Sequence, residues 1–473
     1  MGSVDTATAT AIDELRQLLG TRATDSAAVR EQHSHDESYH TPAAPDIVCF
    51  PNSTEEVSAI VRISAKHGLP VIPFGAGTSL EGHVNAIRGG ITIDMREMNR
   101  VLRVSAEDMD ATVEAGVTRL QLNKALRSLG VTFTVDPGAD ATIGGMTATR
   151  ASGTTAVRYG TMRETVLGLT VVMPDGLVVT TGTRARKSAA GYDLTRLFVG
   201  SEGTLGVLTE VTVRLHPLPE AVSAAVCPFD SLQGAVETVI ATIQLGIPVA
   251  RLEILDEVQM DAVNRYSKTN YPVAPTLFFE FHSDSERHVA DQAAAVQALA
   301  AERGGRDFQW AIRLEDREKL WRARHDTLYA ALALRPGARA QITDVCVPIS
   351  RLAECILESK QDNLTAPFPI ALVGHAGDGN FHLLYILDVD NPVELETARQ
   401  LNERLVLRAL RLGGTCTGEH GVGTGKMKFL EAEHGASLEL MRSLKRAFDP
   451  DNRMNPGKLV DIENAEDQEH AEV

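Results

Sequence analysis

From the N-terminus to Pro219 the apolar residues come in short runs, each bounded by glycine, proline or small polar residues. Residues 11–19 are amphipathic at helical spacing, and 47–50 read as a strand. Val57, Ile60, Val61 and Ser64 repeat on one helix face; Ser53 with Glu56 forms a capping-box signature before it, and Gly68 closes it. Strands are expected at 69–72, 91–95, 101–104 and 131–135, with a helix running from a second box, Thr118 to Gln121, to Gly130. Residues 167–173 and 177–181 flank Pro174-Asp175-Gly176, a hairpin signal, and a strand at 207–215 stops at Pro217.

After Pro219 longer helical patterns alternate with strands. Helices are expected at 230–245, 256–266, 283–303, 316–334, 350–360 and 392–412, with the last helix or two within 430–448, and strands at 251–254, 277–282 and 342–347. Apolar segments 370–373 and 383–386 enclose Gly374-His375-Ala376-Gly377-Asp378-Gly379-Asn380-Phe381-His382, whose turn formers predict a hairpin with a histidine at each side of its mouth. Strands paired in hairpins, with helices between them, predict an antiparallel sheet covered on one face.

That hairpin carries candidate chemistry. Two facing imidazoles, His375 and His382, with the carboxylate of Glu419 from Gly418-Glu419-His420-Gly421, would give three ligands and an open position, as a catalytic divalent metal requires. The plain alternative is a pair of turn-flanking polar residues. Two histidines with a glycine-bracketed Glu-His favour the metal.

The bulk properties narrow the class. At 473 residues, 43% of them apolar, the chain exceeds one core and predicts at least two domains. A net charge of −17 argues against a nucleic-acid partner and suits solubility or a basic electron-transfer partner. The cysteines at 49, 227, 346, 355 and 416 are dispersed without CxxC spacing, as reduced thiols would be. With neither a run long enough to span a membrane nor a recognisable targeting segment, the expected location is cytoplasmic, with membrane contact at most peripheral.

In the first domain, Pro73-Phe74-Gly75-Ala76-Gly77-Thr78-Ser79 follows a strand. Its glycines would let backbone N–H groups approach a diphosphate, with hydroxyls as further donors; a plain tight turn is equally open. It is neither a Walker loop nor a GxGxxG turn. The small-residue tract at 142–160 either packs backbones closely or wraps a flat ligand.

Taken in order, Gly75-Ala-Gly-Thr-Ser, Pro137-Gly-Ala-Asp, Gly144-Gly-Met, Ala151-Ser-Gly-Thr, Val157-Arg-Tyr-Gly and Gly200-Ser-Glu-Gly-Thr-Leu-Gly resemble the FAD domain of the vanillyl-alcohol-oxidase superfamily. The resemblance points to cytochrome-type D-lactate dehydrogenases, with glycolate oxidase flavin subunits and D-2-hydroxyglutarate dehydrogenases more distant. It implies an α+β fold: a two-part PCMH-type FAD-binding domain at 41–219 after an N-terminal helical segment at 1–40. A cap domain with a large antiparallel sheet would span 220–420, a helical segment at 421–460 would return to the FAD domain, and an acidic tail at 461–473 would be disordered.

By the same resemblance Pro73, Gly75, Ala76, Gly77, Thr78, Ser79, Pro137, Gly138, Thr142, Gly144, Gly145, Ser152, Gly153, Glu202, Gly203 and Asn455 would line FAD. The FAD would be non-covalent, because no histidine stands in the phosphate loop and His83, beyond it, reads as structural. His375, His382 and Glu419 would hold zinc, manganese or iron, His420 would be the base, and Arg324 would hold the substrate carboxylate, with Arg322 the surface alternative and His325 structural. The implied reaction oxidises a D-2-hydroxy acid and passes electrons to a cytochrome, a quinone or an electron-transfer flavoprotein. Hydroxyglutarate-type relatives carry lysine and asparagine where this chain has Ile342 and Leu384, which favours D-lactate or a similar aliphatic acid. The competing class is an alkyl-dihydroxyacetone-phosphate synthase-like transferase, for which neither a basic cluster nor a long apolar tunnel is evident.

Overall fold

The computed structural model describes residues 6–185, 187–460 and 462. The expected acidic tail therefore lies almost wholly outside the described residues. The chain divides into two compact units: Met1–Ala151, Thr161–Pro217 and Glu419–Val473 form the first, and Ser152–Gly160 with Leu218–Gly418 the second. Residues 152–160, expected within the FAD domain, cluster with the second unit, and Glu419 and His420, expected at the end of the cap, with the first.

The first unit has two main sheets. In one, the strands Ile47–Cys49, Ile91–Asp94 and Val71–Phe74 run parallel, with Ala23–Thr24 antiparallel at the edge. The other is antiparallel, in the order Val101–Ser105, Asp110–Glu114, Val207–Arg214, Val166–Val172 and Val178–Gly182. The hairpin around Pro174-Asp175-Gly176 forms as expected, pairing Val172 with Val178. One apolar core joins Ile47, Ile60, Val61, Val71 and Ile91 to helix Thr6–Leu19; another lies under the antiparallel sheet.

Two local expectations change. Ser53 caps helix Thr54–His67 by accepting the Glu56 N–H, but the Glu56 carboxylate takes Asn52 N at 2.7 Å and a bidentate bond from Arg22. A guanidinium fork is the stronger partner, so the box is half made. The strand expected at 131–135 shortens to Val131–Thr132, because the Asn123 side chain binds the Phe133 N–H and carbonyl.

The second unit is built on one antiparallel sheet in the order Gln309–Ala311, Ala221–Pro228, Thr276–Ser283, Val249–Leu255, Ile370–Gly374, Asn380–Leu387 and Arg339–Ile342. Helices Glu257–Ser267, Leu314–His325 and Thr327–Ala333 carry Met260, Val263, Leu320, Trp321 and Ala330 into a core with Val226, Phe278, Leu255, Val373 and Leu384 of the sheet. The helix expected at 316–334 breaks at Asp326. Ser267 hydrogen-bonds the Asp326 carboxylate, and the Thr327 hydroxyl takes the Arg324 carbonyl, interrupting the helical ladder.

Candidate active site

In the second unit the expected hairpin forms: Val373 pairs with His382, and Ile370–Gly374 turns through Ala376–Asp378 into Asn380–Leu387. Gly379 has φ +80°, and a Cβ there would lie 2.1 Å from the Val347 carbonyl oxygen, so only glycine fits. Cross-strand partners share a face, as do residues two apart on a strand. Glu253 and Leu255, Val373, His382 and Leu384, and Ile342 therefore line one face through the pairs Leu255–Val373, Val373–His382 and Ile342–Leu384. This is the face covered by Trp321 and Leu320.

The structure brings both hairpin histidines together: their ligand nitrogens lie within 4.8 Å and their rings are nearly perpendicular. Each Nδ1 is engaged from behind, His375 by Glu253 Oε1 at 2.7 Å and His382 by the Thr343 carbonyl at 2.9 Å. Those bonds place the proton on Nδ1 and the lone pair on Nε2, the tautomer of a metal ligand. Asp344 accepts from Asn380 Nδ2 at 2.7 Å, Thr417 Oγ1 at 2.7 Å and Gly418 N at 2.8 Å. It thereby ties the turn before Glu419 and His420 to the hairpin.

Arg324 is half-buried on the helix face turned to the sheet, whereas Arg322 is exposed. Its Nε donates to Glu253 Oε2 at 2.7 Å and its Nη1 to Thr327 Oγ1 at 3.3 Å. Burial alone would raise the Glu253 carboxyl, but His375 and Arg324 outweigh it and hold the group below the usual carboxylate range. Sequence reasoning missed Glu253. The available signal was a charged residue inside the apolar strand Val249–Leu255, since a buried charge requires partners. A separate network on the neighbouring strand links Tyr159 Oη to His282 Nδ1 at 2.7 Å and His282 Nε2 to Glu280 at 2.8 Å, with Arg251 3.4 Å from Glu280 and over the Trp321 ring.

In the first unit Glu419 and His420 are mostly buried, with Oε1 and Nε2 3.8 Å apart. Several of the expected cofactor residues lie around the Gly75 loop. A Cβ on Gly75 would sit 2.5 Å from Thr142 Oγ1, and that hydroxyl caps helix Ile143–Thr149 through Gly145 N. Gly203 packs on Pro73, and Asn455 Nδ2 donates to the Glu202 and His83 carbonyls at 2.7 and 3.0 Å. The Ser79 hydroxyl donates to Asp36, so its proton is engaged there. Gly144 packs against Ala115, which is the close-packing reading of the small-residue tract. Gly138 is exposed with open space around it, and Ser152 and Gly153 fall in the stretch that clusters with the second unit.

Glu202 adopts φ +53°, a left-handed conformation rare outside glycine, and its carboxylate accepts Val422 N at 2.7 Å and Gly423 N at 2.8 Å. His83 is buried, with Nε2 3.4 Å from Glu202 Oε1 and Nδ1 4.0 Å from Asp36 Oδ2. It is a core histidine, paired with buried carboxylates. Burial alone would lower its pKa; Glu202, with Asp36 and Glu81, more than offsets this and raises it. A close-packed glycine loop, with the buried Asn85 Oδ1 and Ser201 Oγ left without hydrogen-bond partners, suits a diphosphate-bearing cofactor.

Residues 45–182 match the model for FAD binding domains, and residues 218–459 match that for the C-terminal domain of FAD-linked oxidases. The chain belongs to the FAD-linked oxidase family. It is 52% identical over 443 residues to a probable mitochondrial D-lactate dehydrogenase of Danio rerio, covering 92% of this chain and 88% of the relative. It is 47% identical over 452 residues to a mitochondrial D-lactate dehydrogenase [cytochrome] of Arabidopsis thaliana, covering 95% and 80%. Its fold matches substrate-bound p-cresol methylhydroxylase with a TM-score of 0.81 at 19% identity, covering 98% and 99%. The chain is accordingly an FAD-dependent oxidoreductase of α+β fold, as the sequence motifs implied.

These relatives overturn the expected cytoplasmic location, since both are mitochondrial proteins. The physical reason for the error is plain. The expectation rested on the lack of a membrane-length apolar run and of a recognisable targeting segment, and neither observation selects the cytoplasm among aqueous compartments. No described helix is long and apolar enough to cross a membrane.

Proposed function

We propose that this FAD-linked oxidase removes two electrons from D-lactate, or a similar small aliphatic D-2-hydroxy acid, to give the 2-keto acid. The observation that carries the reading is the hairpin pair. His375 and His382 have both Nδ1 atoms engaged, and the carboxylate behind His375 also holds Arg324. His375, His382 and Glu419 hold a divalent metal of the zinc, manganese or iron type. Glu419 follows Gly418, whose N–H is bound by Asp344. The metal, when bound, supplies a Lewis acid that lowers the pKa of the 2-hydroxyl, and non-covalent FAD supplies the hydride acceptor.

The remaining work belongs to side chains. His420 accepts the hydroxyl proton. Arg324, with Nε on Glu253, turns its Nη edge to the substrate carboxylate and so fixes which face of C2 is presented. Ile342 and Leu384, directly paired on the His382 face, offer apolar surface to the rest of the substrate and nothing to neutralise a second carboxylate. Gly75 to Ser79, Thr142, Gly145, Glu202, Gly203 and Asn455 cradle the cofactor. Electrons leave to a cytochrome-type acceptor, a reading supported by the name of the Arabidopsis relative and by a net charge of −17 that would attract a basic partner.

The test is anaerobic mixing of the metal-analysed, flavin-loaded protein with D-lactate and, separately, L-lactate, following the flavin absorption. Bleaching by the D-isomer alone is expected. No bleaching by either isomer would sink the lactate assignment and bring forward glycolate, D-2-hydroxyglutarate and the transferase.

A further inference from the structure

Glu253 is fully buried, in the middle of the Val249–Leu255 strand, on the sheet face that carries His382. Each of its oxygens has one charged or chargeable partner: Oε1 meets His375 Nδ1 and Oε2 meets Arg324 Nε, both at 2.7 Å. The two partners come from different elements. His375 follows the Ile370–Gly374 strand, and Arg324 sits in helix Leu314–His325. The Glu253 carboxylate thus bonds one side chain from the helix and one from the hairpin turn.

We infer that Glu253 is a positioning residue that couples the two halves of the substrate site, orienting His375 toward the metal and Arg324 toward the carboxylate. The inference rests on the function proposed above. Its physical basis is the geometry of a single rigid carboxylate. An ionised carboxylate accepts and cannot donate, so both partners must present N–H groups to it. This turns the His375 lone pair forward on Nε2, as a carboxylate behind a ligating histidine does. It also fixes the guanidinium plane, because Nε is held at one edge and Nη1 at Thr327. The distance between metal and arginine is thereby set by one side chain packed in a strand, and that distance must match a 2-hydroxy acid's own span from hydroxyl to carboxylate.

The test uses Glu253→Gln in the full chain. The amide is isosteric, and its oxygen can still accept from one partner, but its NH2 group then opposes a donor on the other. Three quantities are read: metal affinity by chelator competition with zinc and with manganese, KM for D-lactate, and thermal stability. The expected result is metal binding weaker by about 10–100-fold together with a KM raised several-fold. Glu253→Asp, which keeps the charge but cannot span both bonds, should fall between wild type and Glu253→Gln in both quantities. It is the variant to read if the amide fails to fold. Glu280→Gln is the control for loss of a buried carboxylate on the same sheet, since Glu280 serves Arg251 and His282 instead. It should leave metal affinity at the wild-type value.

Three outcomes overturn the inference while the proposed function stands. In the first, Glu253→Gln matches wild type in metal affinity and KM. In the second, only one of the two changes. In the third, Glu280→Gln weakens metal binding as much as Glu253→Gln does. A wild-type protein that binds neither metal overturns the metal reading itself, and this inference with it.

Discussion

Asp344 Oδ2 accepts the backbone N–H of Gly418 at 2.8 Å, the last residue of the second unit. The same carboxylate takes Thr417 Oγ1 and Asn380 Nδ2, so it satisfies three donors, one of them in the metal-candidate hairpin. In Asp344→Asn an amide N–H must face one of those donors. A buried donor left unsatisfied costs about 1–3 kcal/mol. Since Glu419 and His420 come directly after Gly418, the variant should melt several degrees lower and retain less metal. Calorimetry and metal analysis of the purified variant check both.

Gly75 has no space for a methyl group, because its Cβ would lie 2.5 Å from Thr142 Oγ1. That hydroxyl cannot simply turn away, since it caps helix Ile143–Thr149 through Gly145 N. Gly75→Ala is therefore expected to displace the cap, at about 1 kcal/mol, and to distort the loop proposed to hold the diphosphate. The ratio of flavin to protein absorbance should drop well below the wild-type value, while metal content stays unchanged. An unchanged flavin ratio would place the diphosphate elsewhere.

Much of this was legible in the chain. The hairpin at His375 and His382 followed from the apolar segments 370–373 and 383–386 on either side of Asp378-Gly379 and Asn380, because turn chemistry is local. The flavin-type motifs led to the family because they are joint and ordered. Glu253 and Asp344 were harder to read, since their importance lies in partners about 70 to 120 positions away in one case and 36 to 74 in the other, a relation set by sheet register. Helix Leu314–His325 is so charged that it reads as a solvated face, yet Trp321 is buried and Arg324 is bound to a core carboxylate. Its inward face emerges only once the sheet supplies acceptors for it. The location was misread because neither the lack of a membrane-length run nor the lack of a recognisable targeting pattern names a compartment.

Lys458 is buried, donating to the Asn85 carbonyl at 2.7 Å, and burial pushes its pKa down to about 8 from an ordinary 10.5. Between those values the unfolded chain holds the proton and the folded chain has lost it, so this group's contribution to stability rises with pH across that window. Lys458→Met removes the titration. The difference in Tm between wild type and the variant should thus shift in favour of wild type from pH 7.5 to pH 9.5. A difference that stays flat would mean the lysine titrates normally.

Ile342 and Leu384 stand opposite each other on the strands Arg339–Ile342 and Asn380–Leu387, on the face that carries His382. If the substrate's distal end lies over this pair, its apolar character excludes a second carboxylate, whose burial without a partner is costly. The double variant Ile342→Lys with Leu384→Asn supplies a cation and an amide at that place, the residues that hydroxyglutarate-type relatives carry. Polar groups facing an aliphatic substrate are left unpaired, so D-lactate turnover should fall as turnover of the dicarboxylate rises. The expected shift in the ratio of kcat/KM for D-2-hydroxyglutarate over D-lactate is at least about tenfold, equivalent to about 1.4 kcal/mol. Steady-state kinetics on both acids decide it. A double variant that folds and loads flavin but keeps the wild-type ratio would move the distal pocket away from this strand pair.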